Sequence, residues 1–159
     1  MGDARDQSFG FLFRTDEGLV DRAVWWRGSL PLAALALAMT GIWIWLRPYT
    51  AHDLATTPFL NLPTIAAFLY LAIFAFGLIL IAVCEYNLSA KRFRDRGRPA
   101  SLAAALPLIS FCAAALIWFI PQSFGTVPDW AGPVAVVAVL IVLAWNIWDL
   151  GFGPSVGAR

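Results

Sequence analysis

Four apolar runs constrain this chain more than any other feature. They cover residues 30–46, 63–83, 100–120 and 132–148, and none has a charged residue in its interior. A helix needs about 20 such residues to cross a hydrocarbon core of roughly 30 Å. The first run is slightly short and the others fit. The expected fold is therefore all-α: one polytopic membrane domain, residues 1–159, with four transmembrane helices. Composition argues the same way. Hydrophobic residues make up 60% of the chain and charged residues 13%. A soluble domain carries about 25% charged residues. So few polar groups could not cover this much apolar surface in water.

Proline and glycine punctuate the runs. Pro31, Pro63 and Pro133 each fall near an expected helix start, where the missing N–H costs nothing. Pro107 lies inside the third run and should bend it. Arg47 and Pro48 end the first run, and Pro121, Gly125 and Pro128 separate the third from the fourth. Gly97 and Pro99 predict that the second helix continues past its apolar run and stops near Arg96.

Charge gives an orientation. With four crossings, both tails and the middle connection share one side, which holds ten of the eleven Lys and Arg residues. Basic segments stay cytoplasmic, so both termini are expected inside. The eight tryptophans fall near expected span ends. Trp25, Trp26, Trp145 and Trp148 mark the inner boundary; Trp43, Trp45, Trp118 and Trp130 mark the outer one. Indole rings favour the headgroup level, as four full crossings require.

The middle connection contains Lys91, Arg92, Arg94, Arg96 and Arg98 within eight positions, with Asp95 among them. Its plain role is that of a cytoplasmic anchor on an anionic leaflet. On a helix, Asp95 lies four residues from Lys91 and three from Arg92, so it can pair with either. Residues 16–26, DEGLVDRAVWW, carry an apolar side (Leu19, Val20, Ala23, Val24, Trp26) and a polar one (Asp16, Glu17, Asp21, Arg22). They predict a short cytoplasmic interfacial helix before the first span. The FGFLF run at 9–13 should dip into headgroups or pack on a neighbour, and the tails should be tied to this chain or to a partner. The polar start predicts no cleavable signal. WRGSLPLAALAL at 26–37 and DRGRPASLAAALPL at 95–108 form a weak repeat that suggests two related halves.

The middle segment RFRDRGRPASLAAALP resembles the Arg-x-x-Asp-x-Gly-Arg-x signature of a bacterial inner-membrane family, known as domain of unknown function number eight hundred and five. The matching positions are Arg92, Asp95, Gly97 and Arg98. EGLVDRAVWW resembles that family's N-terminal Gly-Arg-Ile-x-Arg opening through Glu17, Gly18, Arg22, Trp25 and Trp26; Leu19 replaces an Arg. The resemblance spans residues 9–150. It implies a small multi-span protein of the bacterial inner membrane and brings no activity with it.

Catalytic motifs are missing from the pattern. The single histidine, His52, sits near Asp53 in the outer connection and reads as a solvated loop residue. Cys84 and Cys112 read as apolar packing residues, not as a redox or metal pair. No catalytic or metal-ligating set is expected, and nothing specifies a cofactor. No cationic face suits nucleic acid. The ionisable groups at span edges are Glu85 and Asp149, with Asn87 and Asn146 beside them. They should hold helix ends or pair with the basic segment; the functional reading has Glu85 or Asp149 bind an arginine or a headgroup. Ala34, Ala38, Ala131, Ala135 and the 113–115 run suit close helix packing.

Three functions fit these residues. The favoured one is a non-enzymatic accessory or structural subunit of a larger membrane complex, of respiratory or photosynthetic type, whose partners are other integral subunits and anionic lipid headgroups. The alternative is a homo-oligomer that binds or transports a lipid, quinone or small amphiphile. In it the basic cluster meets the headgroup, and Trp25, Trp26, Trp145 and Trp148 line the mouth. The third is an enzyme on lipid headgroups using Glu85 or Asp95. The candidate contact residues are Arg22, Trp25, Trp26, Glu85, Lys91, Arg92, Arg94, Asp95, Arg96, Gly97 and Arg98.

Overall fold

The computed structural model describes residues 8–50, 61–123 and 125–154. His52, Asp53, Arg5 and Arg159 lie outside the described residues. Within them the chain is helical, without a strand. Helix α1 is Phe9–Phe13, α2 Arg22–Leu46, α3 Leu62–Asp95, α4 Ala105–Phe119 and α5 Ala131–Asn146. A 3-10 turn, Ala100–Ala104, leads into α4, and a π-helical turn, Ile147–Phe152, follows α5. With these flanking turns, four helices are long and apolar enough to cross a membrane.

A short helix does precede the first span, but not at 16–26. The periodicity there is amphipathic, yet Asp21 offers a stronger signal. Its backbone is extended, and its Oδ1 accepts from the Val24 N–H at 2.7 Å. That N-cap starts α2 at Arg22, so Trp25 and Trp26 belong to the spanning helix. Residues 15–20 are not helical, and Gly18 turns at φ +103°. The short helix is instead α1, capped by Ser8, whose hydroxyl accepts from the Phe11 N–H at 3.1 Å. Pro31 consequently lies well inside α2 and not at its start. Pro63 and Pro133 do fall in first turns. Pro107 lies in the first turn of α4, just after the 3-10 turn.

At 34 residues, α3 is about 51 Å long and overruns the hydrocarbon core by several turns. It stops where the sequence says it should. Gly97 adopts φ +68°, its N–H bonds the Arg94 carbonyl at 2.9 Å, and the Arg98 N–H bonds the Phe93 carbonyl at 2.9 Å. This is a Schellman cap. A Cβ on Gly97 would meet nothing within 4 Å, so any cost of substitution is that of the backbone conformation alone. Gly97→Ala should therefore cost about 1 kcal/mol in denaturant unfolding of the purified protein, and Gly97→Asn less. The proposed repeat does not extend to structure, because its counterpart, Gly28, lies within a helix.

The spans form two hairpins, α2 on α3 and α4 on α5. The α2–α3 seam uses glycine where alanine was expected. A Cβ on Gly28 would lie 2.6 Å from the Leu88 side chain, and one on Gly77 would collide with Met39. Ala34 and Ala38 face outward. Ala67 is fully buried, and the Tyr70 hydroxyl donates to the Met39 carbonyl at 2.8 Å. Most of the apolar length stays uncovered. The compact core is at the charged end, where Val20, Trp25, Leu88, Ala90, Phe93, Ala103 and Leu150 pack together. There the 3-10 turn lies against α3, and the π-helical turn lies against α2 and α3. These contacts join the two hairpins.

Candidate functional site

The basic segment is not a solvated loop. It is the last two turns of α3 and its cap, folded into the core at the charged end. Lys91 and Arg92 are fully buried, and Asp95 nearly so. Burying such charges is costly unless each finds partners, and here each does.

Lys91 holds the N-terminal segment. Its Nζ donates to the carbonyls of Phe11, Leu12 (3.2 Å) and Thr15, and it sits 4.9 Å from the Phe11 ring centroid. Asn87 Nδ2 adds a bond to the Phe13 carbonyl at 2.7 Å. Arg94 reaches both the Asp16 carbonyl and, at 2.9 Å, its carboxylate. Arg92 holds the other end of the chain. Its Nε donates to the Leu150 carbonyl at 3.0 Å and its Nη2 to that of Gly153 at 2.6 Å, while Nη1 pairs with Asp95. Asp149, on the π-helical turn, pairs with Arg96 and, at 2.7 Å, with Arg98. The described parts of both tails are thus tied to this chain.

Asp95 pairs with Arg92, three residues away, and the pair is buried. Asp149 binds two arginines of the cluster, and Glu85 binds none. The Glu85 carboxylate accepts from Ser29 and Ser89, each at 3.0 Å. Trp25 is buried and donates its indole N–H to Ser89 at 3.2 Å; Trp26 donates to the Gly151 carbonyl at 3.2 Å. Trp145 packs on Phe93, while Trp45, Trp118, Trp130 and Trp148 are about two-thirds or more exposed. Arg22 is exposed in the first turn of α2, and Gly97 serves as a cap. Among the phenylalanines of the spans, Phe68, Phe76 and Phe111 are exposed, and Phe74 stacks on Trp43.

Asp16, Ser29 and Ser89 carry parts of this network that the pattern of charges did not single out. The available signal was a small polar residue at the edge of an apolar run, which must find a partner once buried. The Arg94 guanidinium holds the Asp16 carboxyl below its usual range, chiefly by hydrogen bonding. A depressed carboxyl stabilises the fold above its unfolded pKa and loses that contribution as pH falls through the folded value. Amide exchange of residues 14–17 should therefore speed up, relative to Asp16→Asn, as pH drops from about 5 to about 3. The effect should be small, because the pair is partly exposed.

Chemically, the arrangement is a clasp. Of the candidate headgroup cations, Lys91, Arg92, Arg94, Arg96 and Arg98 are engaged by carboxylates and carbonyls of their own chain, and Arg22 is exposed. Among the described residues, no three His, Cys, Asp or Glu side chains are grouped to hold a metal ion. A scan against models of protein families matches none, and comparisons with curated proteins and with solved structures find no significant match.

Proposed function

We propose that this chain is a non-enzymatic integral membrane subunit, an accessory or structural part of a larger membrane complex. The observation that carries this reading is the state of the charged end. Lys91, Arg92, Arg94, Asp95, Arg96, Arg98 and Asp149 are committed to each other, to Asp16 and to the chain's own backbone, so they serve to fix two hairpins and two chain ends in one unit. The uncovered faces of the four spans are then the surface offered to other integral subunits, with exposed Phe68, Phe76 and Phe111 among their contacts. The excess of Lys and Arg at the clasp end supports placing that end, and both termini, in the cytoplasm. The resemblance of Arg92, Asp95, Gly97 and Arg98 to a bacterial inner-membrane family supports that membrane as the location.

The test is native mass analysis of the chain extracted from its own membranes in a mild detergent or polymer. A complex of fixed ratio with other integral proteins is the expected result. The chain alone, or bound only to its own copies, would overturn the reading.

A further inference from the structure

A groove outside the clasp runs between α1 and the first turns of α2. Its volume is about 400 Å³, and its walls include Phe9, Leu12 and Phe13 on one side and Arg27, Leu32 and Leu35 on the other. Pockets for small amphiphiles fall in the range of about 300–1,000 Å³. The lining is apolar except at one end, where Arg27 stands.

Arg27 differs from the clasp arginines. It is exposed and, among the described residues, it has no carboxylate partner, whereas Arg92, Arg94, Arg96 and Arg98 each have one. Its carbonyl is also deprived of a helical donor, because residue 31 is proline. Arg27, Pro31 and Leu35 are spaced four apart and so follow one face of α2. Leu35 lies about 12 Å further along the helix than Arg27. The groove therefore leads from a free guanidinium, just before the first apolar run, down into that run.

We propose that this groove holds one anionic phospholipid of the surrounding bilayer. Its phosphodiester is bound by the Arg27 guanidinium, a fork suited to two phosphate oxygens. One acyl chain follows Pro31, Leu32 and Leu35 and is covered by Phe9 and Phe13. The proposal rests on the four helices spanning a membrane, not on the chain being an accessory subunit.

The experiment is a lipid titration of the purified full chain, read by native mass spectrometry. Phosphatidylglycerol and phosphatidylcholine with the same acyl chains are compared. One phosphatidylglycerol should be retained, with about fivefold preference over phosphatidylcholine. Arg27→Gln should abolish that preference, while Arg14→Gln, at an exposed arginine outside the groove lining, should leave it. Inorganic phosphate should not displace the lipid. A photoreactive acyl chain on the wild-type protein should label residues 9–13 or 27–35, a readout independent of how well any variant folds. Equal retention of the two lipids, equal effects of the two arginine variants, displacement by phosphate, or labelling confined to other helices would each overturn the proposal.

Discussion

Asp95→Asn should be the most damaging single substitution at the charged end. Its side chain stays close in size, and its amide can still accept one hydrogen bond. What it removes is the charge of the ion-pair partner of Arg92, which is fully buried. Leaving one member of a buried ion pair uncompensated costs about 3–5 kcal/mol, against under about 1 kcal/mol for an exposed pair. Arg92 also carries the bonds to Leu150 and Gly153, so its displacement loosens the turn after α5 from α3. The damage should then appear as a loss of registry between hairpins, with each hairpin still helical. The two native cysteines report on this directly, since Cys84 is on α3 and Cys112 on α4. Spin labels on them should give a narrow distance distribution in the wild type and a broad one in Asp95→Asn, with helical circular dichroism retained. A destabilisation below about 1 kcal/mol with an unchanged distribution would mean that water reaches Arg92 and the pair acts as an exposed one.

Much of the fold is legible in the chain because spans and caps are local. Each span is a run of apolar residues, and the end of α3 is written in Gly97. The Arg92–Asp95 pair is also local, at a separation of three. The rest of the site is not local. Asp149 lies more than fifty residues from Arg96 and Arg98, and Asp16 lies seventy-eight from Arg94. No spacing rule brings such residues together. The same limit explains Trp25. An indole at a span edge has two good environments, the headgroup layer and a core with a hydrogen-bond acceptor. Only the packing of α2 on α3, which places Ser89 beside the indole nitrogen, decides between them. Even α1 escapes periodicity, because five residues make little more than one turn. The basic cluster misled for a further reason. Its density of charge suggests solvent, yet charges become buriable when the chain's own ends supply carbonyls and carboxylates.

Those carbonyls make Lys91→Met the second large effect. The substitution keeps an unbranched side chain, fills most of the same space and costs little in helix propensity. It removes the donor shared by the carbonyls of Phe11, Leu12 and Thr15. An acceptor kept from water and left without a donor costs about 1–3 kcal/mol, but these carbonyls are on partly buried or exposed residues, so the segment can move and let water reach them. Release is the easier outcome, since α1 is only five residues long and too short to persist alone. Residues 8–20 should therefore leave α3 while Arg92, on the next position, continues to hold the C-terminal turn. Limited trypsin digestion would detect this as rapid cleavage after Arg14 in Lys91→Met and slow cleavage there in the wild type. Lys91→Arg should fall between them, because a guanidinium can donate to two of the carbonyls but not with the geometry of an ammonium. Cleavage after Arg14 at the wild-type rate in Lys91→Met would show that Asn87, Arg94 and the apolar contacts of Leu12 and Phe13 hold the segment without the buried Lys91 charge.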